Sequence, residues 1–318
     1  MTSALTKVAS LILALPSADA AVDWRARALA LAEENGLLKA KLSMKQDERR
    51  VSGLQATVQV AQTDAAGAIV APHGTTHVVL EIGCSDRNTL DEERLPHDRG
   101  AFLIAFEPML DKYAVLLARG TARYGNGKTD VAVPLGHLHQ RGVVLPFAVT
   151  ARGGPVAFHV SQVAGCSSTS AVNNATSWGR WCTQGLEERQ VPSISLAAAI
   201  GLAGAHPIEL IKIDAQGIDA SLVMATNAAL LRRKVRYVQL ETVAEDCNVL
   251  YEGQMRCLAT VEHMRMVGFK LVRGETYGGP ISATHAATCR STTWYPPTRA
   301  ICESDLVFAG PLVRKVPI

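Results

Sequence analysis

Three acidic residues stand at the ends of apolar stretches that have the composition of buried strands. Glu81 lies near the end of Val78–Ile82, and Glu107 and Asp214 directly follow two further stretches. In an open α/β sheet the carboxyl ends of parallel strands face one crevice, where ligands bind. Glu107 lies 26 residues past Glu81, near the spacing at which a second strand supplies a carboxylate to ribose hydroxyls. The spacing therefore predicts a ligand with a ribose.

The turn after the first stretch narrows the choice of ribose ligand. Gly83 is followed by Cys84, Ser85, Asp86 and Arg87, whereas a dinucleotide site needs G-x-G-x-x-G to seat a pyrophosphate on a helix N-terminus. The sequence also has no G-x-x-x-x-G-K-[ST] loop. We therefore expect a ligand that carries a ribose but no phosphate, and S-adenosylmethionine is such a ligand.

Two acids are candidates for the base of a group-transfer reaction. Asp214 is the first candidate, and Glu241, which follows the apolar stretch Val235–Leu240, is the second. A buried carboxylate can also act through its charge alone, so an electrostatic role stays open for Asp214. His137 and His139 lie in a polar segment with no third ligand in reach, so we expect no metal site.

From about residue 75, apolar stretches alternate with helical ones, which is typical of an α/β fold with a mostly parallel sheet. We predict helices at 110–118 and 220–231. Residues 165–185 form a long polar segment with two tryptophans and two cysteines, and we predict an ordered lid. The predicted strands are 78–82, 102–106, 143–149, 156–160, 209–213, 235–240, 269–272 and 305–308, the last two forming an antiparallel hairpin at the sheet edge.

Residues 1–74 are predicted to be an N-terminal extension, and residues 75–318 the α/β domain. Residues 1–20 combine an apolar run with a small-residue ending, which fits either a cleaved signal peptide or an amphipathic helix. The Ala- and Leu-rich residues 22–62 predict a helix that packs on the domain or engages a partner protein. Small residues, Gly and Pro in 65–74 predict a linker.

Composition excludes several classes of partner. The 32 basic and 29 acidic residues give a net charge of +3 and are interspersed, so nucleic acid is not an expected partner. Aromatic residues make up 5% of the chain and do not alternate with Arg or Lys as in a single-strand binding surface. No run reaches the roughly 18 apolar residues of a membrane span.

Seven cysteines bear on the cellular compartment. Cys84 lies in the proposed ligand turn, and the other six form three sequence-near pairs, Cys166 with Cys182, Cys247 with Cys257 and Cys289 with Cys302. Six cysteines allow fifteen pairings, and reduced thiols remain an alternative. An even set, together with the acceptor triplet Asn174-Ala175-Thr176 and residues 1–20, favours the secretory lumen or secretion over the cytoplasm.

Five segments together resemble the FkbM-type S-adenosylmethionine-dependent methyltransferases. The most specific is Leu210-Ile211-Lys212-Ile213-Asp214 followed by Gly217, and the others are 79–83, 106–108, 165–168 and 303–308. The resemblance covers about residues 75–310. It implies a class I methyltransferase fold, a Rossmann-like seven-stranded sheet with a terminal antiparallel hairpin, and O-methylation of a hydroxyl on a sugar or small natural product.

The resemblance also implies roles for single residues. Glu81 and Gly83, in one turn with Cys84 and Ser85, line the methionine end of the cofactor, Glu107 holds its ribose, and Asp214 lies beside the transferred methyl. Two positions depart from the family pattern. Arg87 stands where a second Gly is frequent, and Gln216 stands where an acid is common, which weakens any assignment of a metal or base at that position.

These departures leave two other classes of function open. A methyltransferase-like fold without catalysis would serve as a binding or scaffold protein, with the N-terminal helix engaging its partner. A nicotinamide-dependent oxidoreductase is disfavoured because the phosphate-binding glycines are missing. The acceptor of an active enzyme would be selected by the variable segments 151–193 and 274–302.

Overall fold

The computed structural model describes residues 61–85, 89–118, 141–276, 279–294 and 302–313, all within the unit Thr57–Ile318. The predicted signal peptide, almost all of the predicted helix 22–62, and Arg87, His137 and His139 lie outside the described residues. None of the described helices has the length and apolar composition that crossing a bilayer requires.

Eleven strands and nine α-helices are present in the described part. The strands are β1 His77–Ile82, β2 Ala101–Phe106, β3 Gly142–Leu145, β4 Ala148–Thr150, β5 Gly154–Val160, β6 Glu187–Ser195, β7 Ile208–Ile213, β8 Val235–Val243, β9 Lys270–Thr276, β10 Gly279–Ser282 and β11 Glu303–Ala309. The helices are α1 Leu90–Glu93, α2 Leu110–Ala118, α3 Ser177–Cys182, α4 Leu196–Gly201, α5 Asp219–Met224, α6 Ala228–Lys234, α7 Cys257–Met266, α8 Ala283–Ala286 and α9 Ser291–Trp294, with a 3-10 turn at Leu95–His97.

The main sheet has the order β10-β9-β11-β8-β7-β1-β2-β3. Strands β3, β2, β1, β7 and β8 are parallel. The first three strands run outward from β1 on one side, and β7 and β8 continue on the other side, which is the order of a Rossmann-like sheet. β1 lies at the switch point, with β2 on one side and β7 on the other. The carboxyl ends of these three strands therefore meet at one crevice, as the sequence predicts.

The rest of the sheet differs from the prediction. The main sheet has eight strands in the described residues, not seven, because β10 adds an edge strand. β9 and β11 pair antiparallel as predicted, but β11 lies between β8 and β9 and pairs with both. The hairpin at the sheet edge is therefore β9 with β10, not β9 with β11.

A second sheet, β4-β6-β5, was not predicted. The predicted strand 143–149 is in fact β3 and β4, which lie in different sheets and are separated by Pro146 and Phe147. A proline lacks the N–H that a sheet ladder requires, so the chain leaves the main sheet there. β6 begins with the exposed residues Glu187, Glu188 and Arg189, whose polarity masks the strand in the sequence.

Apolar residues cover both faces of the parallel strands, as a sheet buried between helices requires. In β1, Val78, Leu80 and Ile82 belong to the larger core cluster and Val79 to a second cluster on the opposite face. Helix α2 coincides with the predicted helix 110–118. The predicted helix 220–231 is two helices, because the Asn227 side chain accepts hydrogen bonds from the N–H groups that begin α6.

Within residues 65–74, where the sequence predicts a linker, two residues pack on the domain. Ala68 and Ile69 are buried, and Ile69 belongs to the larger core cluster. The Ile69 N–H donates to the Leu202 carbonyl at 2.9 Å, just after α4. A truncation at residue 75 would remove these contacts.

Three disulfides join six of the seven cysteines. Cys166–Cys182 is the predicted pair, with Cα atoms 5.4 Å apart. The other two predicted pairings are wrong, since the bonds are Cys247–Cys302 and Cys257–Cys289. Antiparallel pairing of β8 with β11 brings the segment after β8 beside the segment before β11, so Cys247 meets Cys302 instead of its neighbour in sequence.

Proteolytic mapping of the unreduced protein is expected to recover a peptide pair that links Cys247 to Cys302. The bond spans 55 residues, and loop-closure entropy assigns about 4 kcal/mol to a loop of that length. Replacing both residues by Ala should lower the free energy of unfolding by about that amount, measured by urea titration. The buried Cys84 thiol, alkylated only after denaturation, is the internal control. A Cys247–Cys257 peptide would contradict the topology.

Candidate active site

A cavity of about 410 Å³ opens at the carboxyl ends of the parallel strands. This volume falls in the range of about 300–1,000 Å³ that small-molecule and cofactor sites occupy. Its wall comes from the β1, β2 and β7 turns, from β8 and β11, and from the second sheet and the predicted lid. The lining includes Gly83, Cys84, Ser85, Glu107, Lys112, Phe147, Phe158, Ser167, Thr169, Trp178, Lys212, Asp214, Gln216, Glu241 and Glu303.

Glu107, directly after β2, is held by backbone donors. One carboxylate oxygen accepts the Ser85 N–H at 2.8 Å, and the other accepts the Met109 N–H at 2.8 Å. Burial raises the pKa of Glu107, while the two N–H groups and Lys112 lower it. Each carboxylate oxygen has two lone pairs, so each retains one acceptor position for a ligand hydroxyl.

Gly83 sits where β1 and β7 approach each other most tightly. Its φ is +75°, and a Cβ there would lie 2.0 Å from the Asp214 carbonyl oxygen. Any other residue would have to push the β7 turn away. The Asp214 N–H donates to the Ile82 carbonyl at 2.9 Å and completes the contact between the two strand ends.

Cys84 and Ser85 continue this turn. Cys84 is buried in the second core cluster, and burial, reinforced by the charges of Glu81 and Glu107, raises the pKa of its thiol. The thiol therefore stays protonated. Ser85 adopts φ of 55°, and its Oγ accepts a hydrogen bond from Lys112 Nζ at 2.9 Å.

Glu81 lies one layer behind the cavity wall. Its Oε2 accepts the Leu90 N–H at 2.9 Å, and its Oε1 lies 3.2 Å from Lys212 Nζ, on the neighbouring strand β7. Burial raises the pKa of Glu81 to about 7, and the Lys212 charge opposes that rise. Burial alone would lower the pKa of Lys212, but attraction to Glu81 and Asp214 raises it instead. Lys212 therefore remains charged, and its side chain lines the cavity while its ammonium pairs with Glu81.

Asp214 is oriented by a chain of side chains. Its Oδ1 accepts a hydrogen bond from Gln216 Nε2 at 2.5 Å, and Gln216 Oε1 accepts one from the Tyr251 hydroxyl at 2.9 Å. Ser168 Oγ, from the lid, donates to the Gln216 carbonyl at 2.5 Å. Gln216 thus joins the lid to Asp214, and an acid at this position would repel Asp214.

A buried carboxyl, Asp219, fixes the loop after β7. Its two oxygens accept the Ala215 and Gly217 N–H groups, each at 3.2 Å. Gly217 has φ of +96°, and a Cβ there would lie 2.6 Å from the Tyr251 ring. Because a side chain at position 217 would collide with the Tyr251 ring, the hydrogen bond between Tyr251 and Gln216 requires a glycine there.

Glu241, on β8, lies beside two acids of the neighbouring strand β11, Glu303 and Asp305. Its Oε2 is buried and has no hydrogen-bond partner among the described residues. Burial, with the charges of Glu303, Asp214 and Asp305, raises its pKa well above the ordinary value. Burial also raises the pKa of Glu303. Its Oε1 accepts a hydrogen bond from Gln254 Nε2 at 3.3 Å. These carboxyl groups cannot all be ionised at once without mutual repulsion.

The site residues predicted from the sequence therefore converge. Gly83, Cys84, Ser85, Glu107, Asp214 and Glu241 line the cavity, whereas Glu81 reaches it through Lys212. Sequence reasoning missed Lys212, Glu303 and Phe158. For Lys212 a signal was present, because in a strand the residue two before Asp214 points to the same face. No cluster of the described His, Cys, Asp and Glu residues has a metal-binding arrangement.

Comparison with known proteins adds little. No protein-family model and no curated protein matches the chain. Among solved structures, it is similar to the Methanococcus jannaschii fibrillarin pre-rRNA processing protein, at 10% identity over 82% of this chain and 86% of that chain, with a TM-score of 0.34. It is also similar to the methyltransferase domain of the bacterial protein CtHen1-CN, at 8% identity over 74% and 90%, with a TM-score of 0.32. Scores this low carry no argument about the chain's fold or activity.

The raised pKa of Glu81 predicts a pH dependence of stability. Between pH 4.5 and about 7 the folded state holds a proton on Glu81 that the unfolded state has lost. Unfolding free energy should therefore fall as pH rises through this window, by at most about 1.4 kcal/mol per pH unit, and this contribution should end above it. Glu81→Gln should remove it. Urea titrations of both proteins from pH 4.5 to 7.5 measure the difference, and parallel curves would contradict the assignment.

Proposed function

We propose that this chain is an S-adenosylmethionine-dependent methyltransferase of class I fold that methylates a hydroxyl on a sugar or small natural product. The observation that carries the proposal is the position of Glu107, a buried carboxylate at the carboxyl end of β2, beside the switch point of a Rossmann-like sheet. It lies in the same cavity as Glu241, whose Oε2 has no hydrogen-bond partner within the described segments. Five segments of the sequence resemble the FkbM-type methyltransferases, and this resemblance is consistent with the proposal.

The cavity fits a cofactor with a ribose and no phosphate. Glu107 retains acceptor positions for two hydroxyls, and the Gly83 turn lacks the glycine pattern that a pyrophosphate requires. The lining has four carboxyl groups, Glu107, Asp214, Glu241 and Glu303, against two lysines. Such a wall attracts a cationic sulfonium and repels a phosphate. The buried Phe158 and half-buried Phe147 supply apolar surface for a base.

Bound in this cavity, S-adenosylmethionine would supply an electrophilic methyl group. The chain must hold the acceptor oxygen in line and remove its proton. Glu241 is the better supported of the two candidate bases, since its Oε2 has no partner among the residues described and its raised pKa makes it a stronger base than an ordinary carboxylate. Asp214 has one oxygen engaged by Gln216, which supports an orienting or electrostatic role.

We also propose an oxidising compartment, the secretory lumen or outside the cell. Three disulfides support it, because such bonds persist where glutathione does not reduce them.

Calorimetric titration of S-adenosylmethionine into the full chain is expected to show micromolar binding. Glu107→Ala should abolish it, because the ribose then loses its acceptors and the turn loses the carboxylate that binds Ser85 and Met109. The matched control is Glu209→Ala, which removes a carboxylate at the opposite end of β7, where it pairs with Arg236. Absence of binding to the unchanged protein would favour the noncatalytic scaffold.

Replacing the proposed base gives a kinetic prediction. Glu241→Gln should lower the turnover rate about 100-fold or more while cofactor affinity stays within about threefold. Turnover by the unchanged protein should increase with pH, with an apparent pKa well above that of a solvated glutamate, because Glu241 must lose its proton to act.

The readout is S-adenosylhomocysteine formed with a panel of methyl glycosides and phenols. Glu252→Gln, an exposed acid beside Tyr251, is the control. Full turnover by Glu241→Gln, with loss only in Asp214→Asn, would transfer the base role to Asp214.

A further inference from the structure

Two exposed tryptophans lie side by side on the lid helix α3. Trp178 is 54% exposed and Trp181 41%, and their ring centroids are 4.5 Å apart with an angle of 54° between the planes. Indole is among the largest apolar surfaces a side chain can bury. Two neighbouring rings that stay in water do not contribute the stability that their burial would give, and such an exposed pair is typical of a binding surface.

The helix that presents these rings is held firmly. Thr176 caps it by accepting the Gly179 N–H at 2.8 Å, and Cys182, its last residue, is buried and bonded to Cys166. The Asn173 N–H donates to the Leu250 carbonyl at 2.7 Å, just ahead of the helix. The exposure of the rings is therefore a fixed feature of the lid, not a consequence of a loose segment, and a ligand would find them already ordered.

Trp178 connects the tryptophan pair to the cavity. Trp178 lines it together with the hydroxyl residues Ser167 and Thr169 from the same lid. The same cavity is also lined by Asp214, Glu241 and Glu303. A molecule that lies on Trp178 would therefore extend toward groups that accept hydrogen bonds.

This combination favours one class of ligand. A sugar ring has an apolar C–H face, which stacks on an aromatic ring, and a rim of hydroxyls, which donate to carboxylates and exchange hydrogen bonds with hydroxyl side chains. The acidic wall disfavours phosphorylated or carboxylated ligands. A purely aromatic ligand would leave Glu241 Oε2, which has no hydrogen-bond partner among the described residues, still without one, which is unfavourable.

We propose that Trp178 and Trp181 form a stacking subsite at the mouth of the cavity for a neutral sugar unit of an oligosaccharide. The inference rests on the proposed function in one respect: the oligosaccharide is taken as the methyl acceptor. Binding of the sugar itself requires neither cofactor nor methyl transfer, so the two ideas can fail separately.

The test uses the full chain, without cofactor, titrated with neutral oligosaccharides of three to six units. The probes are oligomers of glucose, galactose, mannose and N-acetylglucosamine, followed by saturation-transfer NMR and tryptophan fluorescence. We expect at least one to bind, with Trp178→Ala weakening affinity at least tenfold and Trp181→Ala at least threefold. Trp178→Phe, which keeps a smaller ring, should lose less than Trp178→Ala.

The control is Met266→Ala on α7, which removes an apolar side chain that is 63% exposed and should leave sugar affinity unchanged. All variants alter exposed residues, and melting temperatures within about 2 °C of the parent would show that folding is intact. No binding of any oligosaccharide, affinity equal to that of the parent in both Ala variants, or tighter binding of catechol, titrated alongside as an aromatic probe, than of the sugars would overturn the subsite. Sugar binding without S-adenosylmethionine binding would sustain it and overturn the methyltransferase.

Discussion

The close backbone contact between the ends of β1 and β7 is the constraint on which the site depends. Gly83 allows it, since a Cβ would lie 2.0 Å from the Asp214 carbonyl oxygen. The Gly83 and Cys84 N–H groups also donate to the Phe106 carbonyl, which holds the β1 turn, with Ser85, beside Glu107 directly after β2, and Asp214 lines the same crevice. Parallel strands end at one edge for general reasons, but a glycine at this position lets the two turns share a single cavity.

Charge balance is the second organising feature. The described part of the cavity wall carries more carboxyl groups than lysines, and burial raises the pKa values of Glu107, Glu241 and Glu303. Lys212 offsets part of the negative charge between Glu81 and Asp214. Since buried unpaired carboxylates are unfavourable, burial favours the protonated form of these groups, and Glu107 also accepts two backbone hydrogen bonds. A cationic ligand would relieve the remaining repulsion.

The lid is coupled to this chemistry by covalent and polar links. The Cys166–Cys182 bond closes the segment that carries Trp178 and Trp181, and Ser168 joins the same segment to Gln216. The contacts of Gln216 explain why an amide stands at this position: it donates to Asp214 and accepts from Tyr251 at once. A carboxylate can only accept when ionised, so it cannot replace the amide without losing the bond to Asp214.

The sequence by itself determined the parallel strands β1, β2, β7 and β8, helix α2, and the acids Glu107, Asp214 and Glu241 at one edge, because continuous apolar runs and strand-end acids are local signals. Tertiary structure alone decided the second sheet, the position of β11 inside the main sheet, two disulfide partners, and the Glu303 contribution to the cavity. Each of these depends on which distant strands become neighbours. That choice is set by long-range packing and strand pairing, which no local window of residues contains.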